Sequence, residues 1–324
     1  MRIVSLFSGC GGMDLGAIQA GGKVIWANEL SPFAAATYRH NIGSHIHEGD
    51  IWDHIHHIPP ADLVIGGFPC QDFSMVWKRP GLNGERGNLY LAMVKAIAAA
   101  APKAFIAENV KGLLSANKGK AIQKIIQDFS DLGYEVTPYL CNFADYGVPQ
   151  TRERVLIVGT RNGLPAYTPP QPTHMDRPNL FGRSVWIGAA KALESIPADT
   201  PNHEIPTHSE KVVERLKMIP PGGNFTSIPK DHPLYIKGMI SHVYRRLHPQ
   251  RPSYTITGAG GGGTHGYHHE EPRSLTNRER ARLSSFPDHF HFRGPWAEVR
   301  RQIGNAVPPR GIAPWVEQMK SVCT

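Results

Sequence analysis

The chain has 324 residues, four cysteines and a formal net charge of +8. That length buries a substantial core without disulfides, and Cys10, Cys70, Cys141 and Cys323 lack the paired spacing of a zinc site or a disulfide framework. No secretory leader is read and no apolar run reaches the roughly 18 residues of a membrane span, so the expectation is a cytosolic, reducing location and no resident metal.

The first 160 residues alternate two textures. RIVSLF, KVIWANE, DLVIGGF, AFIAENV and RVLIVGT are short runs rich in Val, Ile and Phe, and are predicted as strands. LYLAMVKAIAAAA and GKAIQKIIQDFSDLG are predicted as helices, the second with a stripe of Ile122, Ile125, Ile126 and Phe129. Such alternation predicts an α/β fold with a doubly wound, mostly parallel sheet.

FSGCGGMDLG follows the first strand. Gly9, Gly11 and Gly12 allow a sharp turn and close backbone approach to a ligand at a helix N-terminus. Glu29 ends the second strand about 20 residues on, where a ribose hydroxyl finds its partner, and Asp50 is placed to end a third. These strand ends suit an adenosyl ligand, and without the GxGxxG pyrophosphate pattern they favour S-adenosylmethionine over NAD. Plain turn glycines and exposed acids are the alternative.

GGFPCQDFS follows the third predicted strand. Cys70, between Pro69 and Gln71, would stand at the carboxyl edge of the sheet, where open α/β folds bind ligands. It is either a nucleophile or a small packing residue. The loop after it has glycines at 81, 84 and 87 and reads as a lid.

Beyond about residue 162 the chain becomes proline-rich and irregular, with PPGG at 220–223 and GAGGGG at 258–263. A second, smaller irregular domain is expected there. SLTNRERARLSSF is predicted as a helix capped by Ser274 and ended by Pro287, and VPPRGIAPWVEQMKSV as a closing helix preceded by QIGNA. The expected division is 1–170 plus 290–324 for catalysis and cofactor, 171–272 for target recognition, and 273–289 as a hinge helix. From His242 to Arg310 there are eleven arginines, no lysine, seven histidines and five acids. That pattern suggests guanidinium forks for phosphates or base edges, or a solvated basic face. The histidines of HGYHH at 265–269, and those at 45–57, read as exposed or phosphate-adjacent rather than as metal ligands.

FSGCGGMDLG, GGFPCQDFS, AENV, QTRERVLIVG, RPSYTIT and QIGNAVPP occur in the order found in DNA cytosine-5 methyltransferases of prokaryotic type, and the chain resembles that family from residue 7 to residue 309. Only about 162–250 lies outside the motifs. The resemblance implies a Rossmann-like, S-adenosylmethionine-dependent methyltransferase acting on duplex DNA. In it Cys70 is the thiolate that adds to cytosine carbon 6, so that carbon 5 can take the methyl group. Glu108 holds nitrogen 3 of the base, with Asn109 as its orienting neighbour. Arg154 holds the 2-oxo group, and Arg152 is its partner on the same strand face. Gln71 joins the catalytic set, and Ser74 and Arg79 contact DNA or the flipped nucleotide, since cytosine must leave the stack to be reached. Phe7, Gly9, Gly11, Gly12, Glu29, Asp50, Ile51, Pro69 and Asn305 match positions lining the cofactor pocket. Arg245, Arg246 and Arg251 are candidates for guanine contacts, and Gly260 and Gly261 for close approach to a groove or phosphate. A monomer is expected, either the modification half of a restriction-modification system whose endonuclease it does not bind stably, or a solitary bacterial or phage methylase. A tRNA cytosine-5 methyltransferase or an inactive DNA-binding homologue are the alternatives. The missing Cys-Phe-Thr signature opposes the first, and the intact PCQ, ENV and RER motifs oppose the second.

Overall fold

The computed structural model describes residues 1–69, 89–177, 182–238, 242–258 and 266–323. The chain forms two compact units, one of residues 1–143, 153–171 and 309–324, the other of 144–152 and 172–308.

The first unit is built on seven strands: β1 (Arg2–Leu6), β2 (Lys23–Glu29), β3 (Ile46–Glu48), β4 (Leu63–Gly66), β5 (Ala104–Val110), β6 (Tyr134–Asn142) and β7 (Glu153–Arg161). Their spatial order is β3-β2-β1-β4-β5-β7-β6. Pairings are parallel from β3 through β5, and β7 runs antiparallel between β5 and β6. The near-continuous apolar runs of β1, β4 and β5 follow from this placement: they are central strands, buried across their length. The strand order reverses between β1 and β4, which opens a crevice at their carboxyl ends.

Helices α1 (Gly12–Gln19), α2 (Pro32–Asn41), α3 (Ile51–His54), α4 (Leu89–Ala100) and α5 (Lys120–Ser130) connect these strands or flank them. The predicted stripe of α5 is real: Ile122, Ile125 and Phe129 are buried, and Ile126 packs on the same core. The sheet of this unit is therefore the doubly wound, mostly parallel one that the alternation predicts.

The second unit is irregular. Its two-stranded sheet pairs β8 (His174–Met175) with β9 (Ser184–Val185), and its helices include α6 (Ala189–Leu193), α7 (Glu210–Lys217), α8 (Asn277–Leu283) and α9 (Trp296–Asn305). A small core gathers Leu216, Ile219, Phe225, Ile228, Val243, Tyr244 and Tyr267. With so few ladders, many carbonyls need donors from elsewhere. Buried arginines supply them. Arg278 donates to the carbonyls of Pro201, Pro287 and Phe290, and Arg280 to those of Leu275 and Thr276. The two arginines are 0% and 1% exposed.

Several expectations are corrected here. Residues 273–308 pack within the second unit, and 144–152 join it through Gln150, whose side chain bonds Ile256 N, Leu283 O and Ser284 Oγ. The units divide at 171/172 and 308/309, so the expected boundaries at 272 and 289 are not among them. Thr276, not Ser274, caps α8: Glu279 N donates to its hydroxyl, and Thr276 N donates to the Glu279 carboxylate. That helix ends at Leu283, ahead of Pro287, and QIGN is itself the last turn of α9. The closing helix α10 (Pro309–Gln318) returns to the first unit and packs on α1. A Cβ on Gly16 would stand 2.4 Å from Ile312 Cγ2 and 2.6 Å from Pro309 O, so only glycine allows that approach.

Candidate active site

Glu108 is the fifth residue of β5 and faces Leu156 across the β5–β7 ladder. Arg154, two residues earlier on β7, reaches it diagonally, with Nε 2.8 Å from Glu108 Oε1. Both side chains are 12% exposed, so this pair is largely shielded from water. Arg154 also donates to the carbonyl of Glu153. Glu108 lies over the turn after β4: a Cβ on Gly67 would be 3.0 Å from its Oε2. The side chain of Asn109 turns to the same segment and donates to the carbonyl of Phe68 at 2.8 Å, while accepting from Val110 N. Asn109 of β5 therefore holds the backbone that leads to Cys70, and Glu108 lies beside it. Gly67 and Phe68 were missed by sequence reasoning, although the paired glycines after a strand were a signal of close approach.

Cys70, Gln71, Ser74 and Arg79 lie outside the described residues, as do the rest of the predicted lid, Gly260, Gly261 and His265.

The other end of the crevice is the turn after β1. Phe7 has φ 54° and Gly9 φ 56°, and Gly11 has φ 91°. Left-handed backbone is ordinary for glycine but strained for phenylalanine, and such strain gathers at ligand sites. Gly9 N donates to Glu29 Oε2 and Ser31 N to Glu29 Oε1, each at 2.8 Å. A Cβ on Gly9 would meet nothing within 4 Å, so the turn opens on space there. Gly12 is buried at the start of α1. Asp50 does not end a strand: β3 stops at Glu48, and Asp50 caps α3 by accepting from Trp52 N. Ile51 is buried in the core, and Pro69 is exposed.

A family model for C-5 cytosine-specific DNA methylases matches residues 1–321. The type II methyltransferase M.NgoFVII of Neisseria gonorrhoeae is 57% identical, over 99% of this chain and 86% of its own length. The type II methyltransferase M.BbvI of Brevibacillus brevis is 45% identical, over 94% of this chain and 87% of its own length. The chain belongs to the C-5 cytosine-specific DNA methylases. It is thus a DNA methyltransferase acting on carbon 5 of cytosine. Among solved structures, a DNA modification methyltransferase described as putative, from an Escherichia coli prophage, superposes with a TM-score of 0.77 at 22% identity, covering 99% of both chains. The Schizosaccharomyces pombe Dnmt2 methyltransferase does so with 0.69 at 17% identity, covering 99% of this chain and 98% of its own. These likenesses carry the fold.

The DNA-reading expectations of this methylase fare unevenly. Arg246 is 6% exposed, and its guanidinium donates to the carbonyls of His268, Leu216, Ile219 and His269. It holds its own unit together and is spent before any base arrives. Arg245 stacks over the Tyr254 ring at 4.5 Å and is half-buried, while Arg251 is exposed. Arg152 lies ahead of β7 rather than on its face. It donates to Ile256 O at 3.1 Å and Gly304 O at 2.9 Å, inside the second unit. Asn305, the last residue of α9, is exposed in that unit. His268 and His269 are buried rather than exposed, and burial lowers both below the usual imidazole range. No group of three metal-ligating side chains is found among the described residues, and no described helix is long and apolar enough to cross a membrane.

Proposed function

We propose that this methylase modifies one cytosine in a short DNA sequence through a covalent adduct of Cys70, with S-adenosylmethionine as methyl donor. The observation that carries the reading is the Glu108–Arg154 pair set against the Gly67–Phe68 turn, two residues ahead of Cys70. A cytosine edge presents nitrogen 3 beside the 2-oxo group, and an acid beside a guanidinium matches that edge. Glu108, protonated, donates to nitrogen 3, and Arg154 donates to the 2-oxo group, so both draw charge from the ring as the Cys70 thiolate bonds to carbon 6. Asn109 fixes the turn that carries the thiol. Carbon 5 then becomes nucleophilic. After it takes the methyl group it loses a proton, the bond from sulfur to carbon 6 breaks, and 5-methylcytosine leaves.

The residues present fit the proposed donor. The strained turn at Phe7, the open side of Gly9 and the anchored Glu29 make a cradle at a helix N-terminus. Glu29 is held at the end of β2 by Gly9 N and Ser31 N, where a ribose diol finds its partner. Phe7, Gly9, Gly11, Gly12, Glu29, Asp50, Ile51 and Pro69 would hold S-adenosylmethionine, which supplies an electrophilic methyl group on a sulfonium. The base reaches this site by leaving the duplex. The enzyme works as a monomer, as the modification half of a restriction-modification system, without a stable complex with the endonuclease. Arg245 and Arg251, with Ser74 and Arg79, remain the proposed DNA contacts.

The test is a duplex carrying 5-fluorocytosine at sites that bisulfite sequencing identifies as methylated. Fluorine cannot leave as a proton, so a denaturation-resistant adduct that carries the methyl group should accumulate. Cys70→Ser should lose both adduct and turnover yet still bind the donor. Methyl transfer by Cys70→Ser at the wild-type rate would remove Cys70 from the reaction.

A further inference from the structure

Beneath the glycine turn lies a polar chain that the methyl-transfer chemistry does not use. Asp14, in α1, is fully buried. Its Oδ2 accepts from Ser5 Oγ at 3.0 Å and its Oδ1 from the Tyr38 hydroxyl at 2.9 Å. Ser8 Oγ, from the turn itself, donates to Ser5 Oγ at 2.9 Å, and Gly11 N donates to Ser8 O. On the far side, the Tyr38 hydroxyl lies 3.0 Å from Nε2 of His45, a half-buried residue just ahead of β3. Tyr38 also forms a floor for the turn. A Cβ on Gly11 would fall 2.9 Å from its ring and 2.2 Å from Ile42. A continuous path thus runs from the half-buried His45 through Tyr38 to Asp14, and on through Ser5 and Ser8 to the donor-binding turn.

We infer that Asp14, Tyr38 and His45 form a proton relay that tunes how the Phe7–Gly12 turn holds the methyl donor, Asp14 and Tyr38 acting as positioning residues. This rests on the proposal that the turn binds S-adenosylmethionine.

The relay has two arrangements with the same heavy-atom positions. With Asp14 ionised, Tyr38 donates to it and His45 Nε2–H donates to Tyr38. An added proton enters at His45 Nδ1. The Nε2 proton passes to the Tyr38 oxygen, and the Tyr38 proton passes to Asp14. His45 ends neutral with Nε2 as acceptor, and both hydrogen bonds have reversed. One proton is taken from solvent and one carboxyl is neutralised. Burial pushes Asp14 up to about 6, against the opposing bonds from Ser5 and Tyr38, so this exchange falls near neutrality.

The groups around the relay are few. Cys10, whose thiol burial pushes up, feels Asp14 and Glu29, and His47 is the titratable neighbour of His45, burial lowering both imidazoles below their usual range. Arg39 of α2 is paired with Glu48. On α10, against the other side of α1, Arg310 and Glu317 are exposed. Asp14 is therefore the buried negative charge under the turn. The donor carries a sulfonium cation that its demethylated product lacks. An ionised Asp14 favours the donor over the product, and a protonated one removes that preference.

The test is calorimetric titration of the full-length enzyme with S-adenosylmethionine and with S-adenosylhomocysteine from pH 5 to 8, in buffers of different ionisation enthalpy. Donor affinity should rise several-fold through about pH 6, with proton release on binding, while product affinity changes less. Tyr38→Phe keeps the ring under Gly11 and removes a bond that favours the carboxylate, so the step should move to higher pH. Asp14→Asn should abolish it. The carboxyl carbon-13 shift of Asp14, followed against pH in the free enzyme, should report the same midpoint. A step that persists unmoved in Tyr38→Phe, or survives in Asp14→Asn, overturns the relay. No donor binding at any pH would instead overturn the proposed cofactor.

Discussion

Replacing Arg246 with methionine separates two roles for a guanidinium in a DNA enzyme. Methionine fills similar volume and removes the five N–H groups. Four carbonyls, at 2.7 to 3.2 Å, lose their donor in a site where the side chain is 6% exposed. An unsatisfied buried polar group costs about 1–3 kcal/mol. Some of the four will relax toward water, so the expected loss is about 3–5 kcal/mol, with a fall in melting temperature on the order of 10 °C. Urea and thermal unfolding followed by tryptophan fluorescence measure this, and filter binding across a salt series measures the DNA contact. If Arg246 only builds the second unit, protein that is still folded should bind DNA with the wild-type salt slope. A phosphate contact predicts the reverse, namely wild-type stability and a slope reduced by about one. A variant that melts with the wild type and loses salt dependence would refute the scaffold role.

Glu108→Gln removes the proton that the carboxyl delivers and breaks the pairing with Arg154, so turnover should fall about 10²–10⁴-fold while donor affinity, read by calorimetry, stays near wild type. Acidification should loosen the second unit through His268 and His269. Burial lowers both below 6.5, so the unfolded chain binds protons that the folded one refuses; their contribution is full above about pH 6.5 and is lost as pH falls through the lowered folded values. Urea midpoints at pH 7.5 and 5.5 check this. His268→Asn, whose Oδ1 can replace the Nδ1 that accepts from Glu270 N and Glu271 N, should show a smaller difference, and an unchanged one would exclude His268.

What could be read in the sequence is what depends on nearest neighbours and on burial from both faces. β1, β4 and β5 are central, so their residues are mostly apolar, and that is a signal a single chain displays. Glu108 and Arg154 were nameable for their motifs, and β pairing set them on a diagonal. Arg246 and Arg278 were misread for the opposite reason. Which carbonyls lack a ladder is a tertiary fact, and a guanidinium that fills that lack looks, in one dimension, like one that waits for phosphate. The error at Ser274 was avoidable, since Thr276 and Glu279 spell a capping box. Asp14, Tyr38 and His45 were invisible because 31 positions separate the first from the last, and only the packing of α2 over the turn joins them.

The Glu108–Arg154 pair bears on how the site can exist before a base arrives. An acid and a guanidinium would each be costly if left alone in a poorly hydrated place. At 2.8 Å they satisfy one another, so the two charges are held in position by mutual neutralisation. An incoming cytosine edge then exchanges contacts rather than creating them. On the proposed mechanism Glu108 takes up a proton as the pair gives up its bond, and nitrogen 3 and the 2-oxo group replace that bond with little reorganisation of either strand. A Cβ at Gly67 would stand 3.0 Å from Glu108 Oε2, so the carboxylate would have to shift by a few tenths of an ångström to admit it. Preorganisation here depends on the β5–β7 ladder, which fixes the acid and the cation on adjacent rigid strands, and on Asn109, which fixes the approach to Cys70 from the same strand.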